Sequence, residues 1–100
     1  MSKCQDFVDE IREELAINSN KLSYEFIEKI ANEAKAEYSI VNGVTFCVLE
    51  LPCGHKVTGE ALVLDEDNFV EEIGKEVAFK EAKDKLWSVV GTIAKVLLEA

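Results

Sequence analysis

Proline is almost missing from the sequence, one residue in 100, and glycine is scarce at five. Without Pro- or Gly-rich stretches there is no room for a long linker, and a chain this short makes one domain with a modest core. Basic residues are also few: 11 Lys and Arg stand against 20 Asp and Glu, a net charge of −9. That balance argues against the phosphate-neutralising surface of direct nucleic-acid binding and against an anionic membrane surface. There is a single histidine, no Gly-rich phosphate loop, no His-Glu-x-x-His pattern and no pair of carboxylates at a catalytic spacing. Enzyme chemistry therefore finds no recognisable constellation, and no cofactor is implied. The three cysteines are an odd number with no signal peptide before them, which points to a reducing cytoplasm. The longest apolar run, residues 86–100, is interrupted by Lys95 and falls short of the ~18 uncharged residues of a spanning helix.

With 48% hydrophobic and 31% charged residues the chain falls in the globular class. Ser2 and Gln5 have the spacing of a capping box. Phe7, Val8, Ile11 and Leu15 then recur at helical spacing, with Asp6, Glu10, Glu13 and Glu14 toward the other side: an amphipathic helix with one acidic face. Asn18 to Asn20 ends it. Ser23 predicts the cap of a second helix, Leu22 and Ile27 have the spacing of a hydrophobic staple, and Phe26 and Ile30 continue the stripe to about Glu37. Asn42-Gly43 is a turn signal, with a short strand before it, Tyr38 to Val41, able to pair with the one after.

Val44 to Leu51 and Lys56 to Leu64 read as strands of a hairpin turning at Pro52, Cys53 and Gly54. Alternation sets Thr45, Cys47, Leu49 and Leu51 on one face of the first, and apolar Phe46 and Val48 on the other suggest cover on both sides. In the second, Val57, Gly59, Ala61 and Val63 share a face. Asp65 caps a third helix, stapled by Leu64 and Phe69. Phe69, Ile73, Val77, Ala78, Ala82, Leu86, Val89, Ile93 and Leu97 trace its stripe, and Gly74, Ala78 and Ala82 form an edge of small residues where another backbone can approach. Gly91 leaves open one long helix or two shorter ones. From Leu86 onward the helix is apolar nearly all round, so it needs cover on more than one side, and a second copy of the chain would supply it. Leu86, Trp87, Val90, Ile93 and Leu97 are the expected oligomer interface.

The central stretch resembles a family of small phage proteins named for gene product 49 of a coliphage and gene product 66 of a Shigella phage. The resemblance covers roughly residues 44–91 and rests on Thr45 to Val48, Val57 to Glu60, Asn68-Phe69, Gly74, Ala78, Ala82, Lys85, Leu86-Trp87 and Gly91. The hairpin turn departs from the family's Lys-Asn-Gly type, and the first 40 residues carry none of the resemblance. It implies a phage or prophage gene expressed in the bacterial host cytoplasm, and no particular activity.

Four groups of residues are candidates for function. Glu10, Glu13 and Glu14 form an acidic face for a basic host protein. Cys47, Cys53 and His55, with Cys4 as a fourth donor, are a weak zinc set, since no Cys-x-x-Cys pair is present and Cys47 in a strand reads as a small buried hydrophobe. Cys53 and His55 lack the third group a nucleophile pair needs. Glu60, beside Gly59, could cap a helix, pair with Lys85 or line a pocket, and is expected to act structurally, as an anchor of the sheet–helix junction. Lys56, Lys80, Lys83 and Lys85 could line a site for a small nucleotide. The expectation is an α+β fold, order α-α-β-β-α, that acts by binding: a modulator of a host defence or regulatory protein first, then an oligomeric sponge for a nucleotide signal, then a structural or zinc-stabilised adaptor.

Overall fold

The computed structural model describes residues 3–52, 54–62 and 71–99. The expectations for Ser2, Cys53, Val63, Leu64, Asp65, Asn68 and Phe69 lie outside these residues. The order is α1 (Lys3–Ile17), α2 (Tyr24–Glu33), β1 (Lys35–Val41), β2 (Val44–Glu50), β3 (Lys56–Leu62) and α3 (Glu71–Glu99). It is an α+β fold, and the short strand read before Asn42-Gly43 is present and longer, starting at Lys35 and not Tyr38.

β1 pairs with β2 along all seven residues, from Lys35 opposite Glu50 to Val41 opposite Val44. The turn between them is Asn42-Gly43, with φ of 49° and 76°. Two successive positive φ angles match the right-handed twist of the strands, and Asn followed by Gly tolerates them best. This full-length pairing also explains why α2 stops at Glu33, before the expected Glu37. Ala34 gives its N–H to Ile30 O and then turns extended, at φ −69° and ψ 148°, and β2 offers pairing partners from there on. At its other end α2 is capped as the sequence predicts: Ser23 Oγ accepts from Phe26 N at 3.1 Å.

The antiparallel sheet has the order β1-β2-β3. Thr45, Cys47 and Leu49 of β2 and Val57, Gly59 and Ala61 of β3 point to the helix side and are buried. Phe46 and Val48 point the other way and are only half-buried. The expectation of cover on both faces of β2 is therefore corrected. No described element lies over the outer face, and the flanking side chains of β1 and β3 shield it in part.

A 29-residue helix is ~43 Å long, about twice the span of a seven-residue strand. The sheet can cover only half of α3, and α1 and α2 pack on the rest, giving an elongated molecule of 51 × 27 × 19 Å. The buried line on α3 is Ala78, Ala82, Leu86, Val90 and Ala94. Residues four apart advance 400°, so this line drifts ~40° per step around the helix. Its first members face β3 and its last face α1 and α2. The drift corrects the predicted stripe: Ile73 and Val77 are exposed at 57% and 48%, while Val89, Ile93 and Leu97 flank the core. Gly91 does not break the helix.

At Gly59 the sheet backbone lies directly on α3. A Cβ there would fall on Ala78 O and Ala82 N and stand 3.1 Å from Ala82 Cα. The edge of small residues does admit a second backbone, and that backbone is β3.

Among the described residues one buried side-chain oxygen lacks a partner. Thr45 is fully buried and its Oγ1 makes no hydrogen bond. Burying an unpartnered hydroxyl costs ~1–3 kcal/mol. Thr45→Val keeps the shape and removes the cost, so the urea midpoint should rise, by ~1 kcal/mol of stability at unchanged slope. A fall would show that the hydroxyl is bonded after all.

Candidate functional site

Three surfaces stand out once the fold is built. The first is α1. Phe7, Ile11 and Leu15 are buried, which turns Asp6, Asp9, Glu10 and Glu13 to solvent. Arg12 bonds Asp9 Oδ1 at 3.3 Å, and Lys29 of α2 lies beside Glu10 and Glu13. Glu14 does not belong with them as the sequence suggested. It is half-buried, and Glu14 Oε2 accepts from Ser23 Oγ at 2.7 Å and from Ser23 N at 3.2 Å. Its carboxylate ties α1 to the start of α2, and the acidic surface is built on Glu10 and Glu13 instead.

The second is an apolar groove of about 530 Å³ between α1, α3 and the β2–β3 turn, lined by Phe7, Leu51, Val89 and Ile93 with His55, Ser88 and Thr92 at its polar positions. Thr92 Oγ1 donates to Ser88 O at 2.8 Å, as a helical threonine does when it turns back on its own helix. Sequence reasoning missed this groove, since it forms between residues some 80 positions apart. Its one legible signal was the apolar character of α3 beyond Leu86.

The third is a row of aromatic and cationic side chains along one edge of α3. Lys75 Nζ lies 5.5 Å from the centre of the Tyr38 ring and Lys83 Nζ 5.9 Å from that of Phe79. Lys83 reaches Glu28 Oε1 on α2 at 2.6 Å, with both side chains largely shielded. This bond holds the Glu28 carboxyl below its ordinary range, with help from Tyr24, and raises the Lys83 ammonium. Tyr24 is in turn raised by its hydrogen bond to Glu28. A lowered carboxyl stabilises the fold above its unfolded value, ordinarily ~4.3, and that contribution disappears as pH falls through the lower folded value. Lys83→Met should therefore unfold at lower urea than the parent at neutral pH, and the gap should close toward pH 3. A gap that does not change with pH would mean the loss is one of packing.

The remaining candidates disperse. Cys47 is buried beneath α3, where burial pushes its thiol up. His55 is exposed at the β2–β3 turn, about four strand residues away, so these two do not converge on a metal. Among the described residues no group of three His, Cys, Asp or Glu side chains could hold a metal ion. Glu60 is exposed on the outer face of the sheet opposite Phe46, away from α3. The anchoring role expected of it is not made, because strand alternation puts it on the far side from Gly59's contact, and Lys85 lies near Glu81 instead, at 4.0 Å. Lys56 points to the outer face of β3, and Lys80, Lys83 and Lys85 spread around α3. Leu86 and Val90 are fully enclosed by their own chain. They are withdrawn from any interface with a second copy, because α1, α2 and the sheet already provide the cover the sequence seemed to require. Trp87, Ile93 and Leu97 are half-buried against the same core.

The model of the phage protein (N4 Gp49/phage Sf6 gene 66) family matches residues 9–98. The chain belongs to that family. The match reaches well beyond the central stretch read from the sequence and takes in most of α1 and all of α2. No curated protein matches the chain, and no solved structure does. Several of the residues that carried the family resemblance form a packing seam, while Glu60 and Lys85 are exposed. Thr45 and Cys47 are buried under α3, Gly59 rests on Ala78 and Ala82, and Leu86 closes the core. They explain a shared fold and leave activity to the surface. No helix among the described residues is long and apolar enough to cross a membrane.

Proposed function

We propose that this phage-family protein acts by binding, without catalysis, and that its partner is a basic surface on a host defence or regulatory protein in the cytoplasm of the infected cell. The observation that carries the reading is the outward face of α1, where Asp6, Asp9, Glu10 and Glu13 are exposed and outnumber the bases beside them, Arg12 on the same helix and Lys29 on α2. Such a face steers a cationic partner and selects against acidic ones. The apolar groove beside it, between α1 and α3, adds a surface a partner side chain can fill.

The test is comparative capture from host lysate with wild-type protein and the Glu10→Lys/Glu13→Lys variant, both first shown to melt alike. A protein held by the wild type should be lost or held at least tenfold more weakly by the variant, and more weakly by the wild type at high salt. Equal retention would sink the acidic face as the docking site.

A second reading, sequestration of a small nucleotide, draws on Lys75 over Tyr38 and Lys83 over Phe79, since lysine beside an aromatic ring suits a phosphate next to a base. Both lysines are already engaged by Glu71 and Glu28, which places this reading second. A rise in melting temperature with cyclic nucleotides, abolished by Tyr38→Ala, would reverse the order.

A further inference from the structure

β1 is the strand that α3 covers least, the helix reaching it at Tyr38, whose ring centre lies 5.5 Å from Lys75 Nζ. The helix lies over β3 and β2, and all seven residues of β1 are exposed. We propose that β1 is a docking edge for a second copy of this chain, the two β1 strands pairing antiparallel about an axis at Tyr38 to join two three-stranded sheets into one of six.

The backbone sets the geometry. The two-residue turn closes on the pair Val41 and Val44, so Val41, Ser39, Glu37 and Lys35 exchange hydrogen bonds with β2. Ladder alternation then directs the N–H and C=O of Ala36, Tyr38 and Ile40 outward. In a pair centred on Tyr38, Ala36 meets Ile40, Tyr38 meets Tyr38 and Ile40 meets Ala36. Two bonds at each of these pairs give about six, using every outward group of the strand.

The side chains fit the same register. Ala36, Tyr38 and Ile40 share the helix-side face and meet there, Tyr38 and Ile40 being 38% and 41% exposed in the single chain. The charge beside them, Lys75 over the Tyr38 ring, is paired with Glu71 of its own helix at 3.2 Å. On the outer face Lys35 meets Val41 and Glu37 meets Ser39, with no like charges opposed. Sliding the pair to a centre at Ala36 or Ile40 shortens it and strands part of the edge. The charge of β1 also favours a copy of the chain over a basic partner: one Lys and one Glu leave the strand neutral in a chain of net charge −9, so two copies meet here with the least repulsion.

Edges that must stay unpaired are usually blunted by proline, a bulge or a covering element. β1 has no proline in its sequence, KAEYSIV, its seven pairings are consecutive, and no element among the described residues pairs with its outer edge. The expected interface through α3 is thereby replaced by one through the sheet, independent of the acidic face of α1.

Proline substitution separates the two edges of this strand. Ile40→Pro and Ala36→Pro each delete an outward N–H and leave the bonds to β2 in place. Native mass spectrometry and light scattering of the full chain at tens of micromolar should show a dimer, or an even multiple, for the wild type. Either proline variant should halve that mass or weaken association at least tenfold while keeping the parent circular dichroism. If both prolines unfold the chain, Tyr38→Lys, which sets two ammonium groups across the axis, should have the same effect on mass. A wild-type monomer would overturn the proposal and leave the edge to an extended peptide. An assembly that the proline and lysine variants do not alter would overturn it equally.

Discussion

Gly59→Ala should unfold or severely destabilise the protein, although it adds one methyl group. The new Cβ has no space: it would fall on Ala78 O and Ala82 N and press on Ala82 Cα at 3.1 Å. All three are main-chain atoms of a helix, so no rotamer change relieves the clash. The strand must move off the helix, and β3 is the strand that lies most closely on α3. Overpacking a core by a methylene costs ~1–3 kcal/mol where side chains can give, and more where backbone must shift. For a domain whose total stability is ~5–15 kcal/mol, a loss at or above the top of that range is decisive. Gly91→Ala serves as the control. It sits in α3 with no atom within 4 Å of the added Cβ, and exchanging a mid-helix glycine for alanine should raise stability by ~0.5–1 kcal/mol. Urea melts of the two variants should therefore move in opposite directions. A Gly59→Ala protein with the parent midpoint would mean that β3 does not rest on α3 as described.

That contact also shows what the sequence could say. The alternation of Val57, Gly59 and Ala61 and the four-residue spacing of Gly74, Ala78 and Ala82 were each legible, because strand and helix periods are local properties. That the two patterns meet each other was not, since nothing local relates positions 59 and 78. The Ser23 cap, the Asn42-Gly43 turn and the buried set Phe7, Ile11 and Leu15 follow from neighbours within one or two turns of chain, and the structure has them. Glu14 and Glu28 were misjudged or unseen for the same reason inverted. Each is an acidic residue in an acidic chain until a tertiary partner, Ser23 or Lys83, gives it a separate role. The full length of β1 was hidden because Lys35, Ala36 and Glu37 have helical propensities, and pairing with β2 overrides them. As for function, Thr45, Cys47, Gly59, Ala78, Ala82 and Leu86, which have a family character, are consumed by folding, so that part of the sequence pattern speaks about packing.

Leu86→Ala is the second large effect, and it distinguishes two accounts of the C-terminal half of α3. If Leu86 met a second copy of the chain, truncating it would weaken association and leave the folded monomer intact. In the structure Leu86 is fully enclosed at the middle of the buried line Ala78, Ala82, Leu86, Val90 and Ala94, where the cover of α3 passes from the sheet to α1 and α2. A cavity at that junction cannot be filled by a small shift of one layer, because the other layer holds the helix in place. Removing a buried leucine side chain costs ~2–5 kcal/mol, toward the upper end where the site cannot collapse. The expected result is a fall in the urea midpoint of that size, independent of protein concentration, with association at the β1 edge unchanged wherever the variant is still folded. Trp87→Ala supplies the comparison, since Trp87 is only half-buried beside Leu22 and Gly91 and should lose less stability than its area suggests. A Leu86→Ala midpoint that climbs with protein concentration toward the parent value would show that the residue's cover comes from another chain, and would return α3 to the interface.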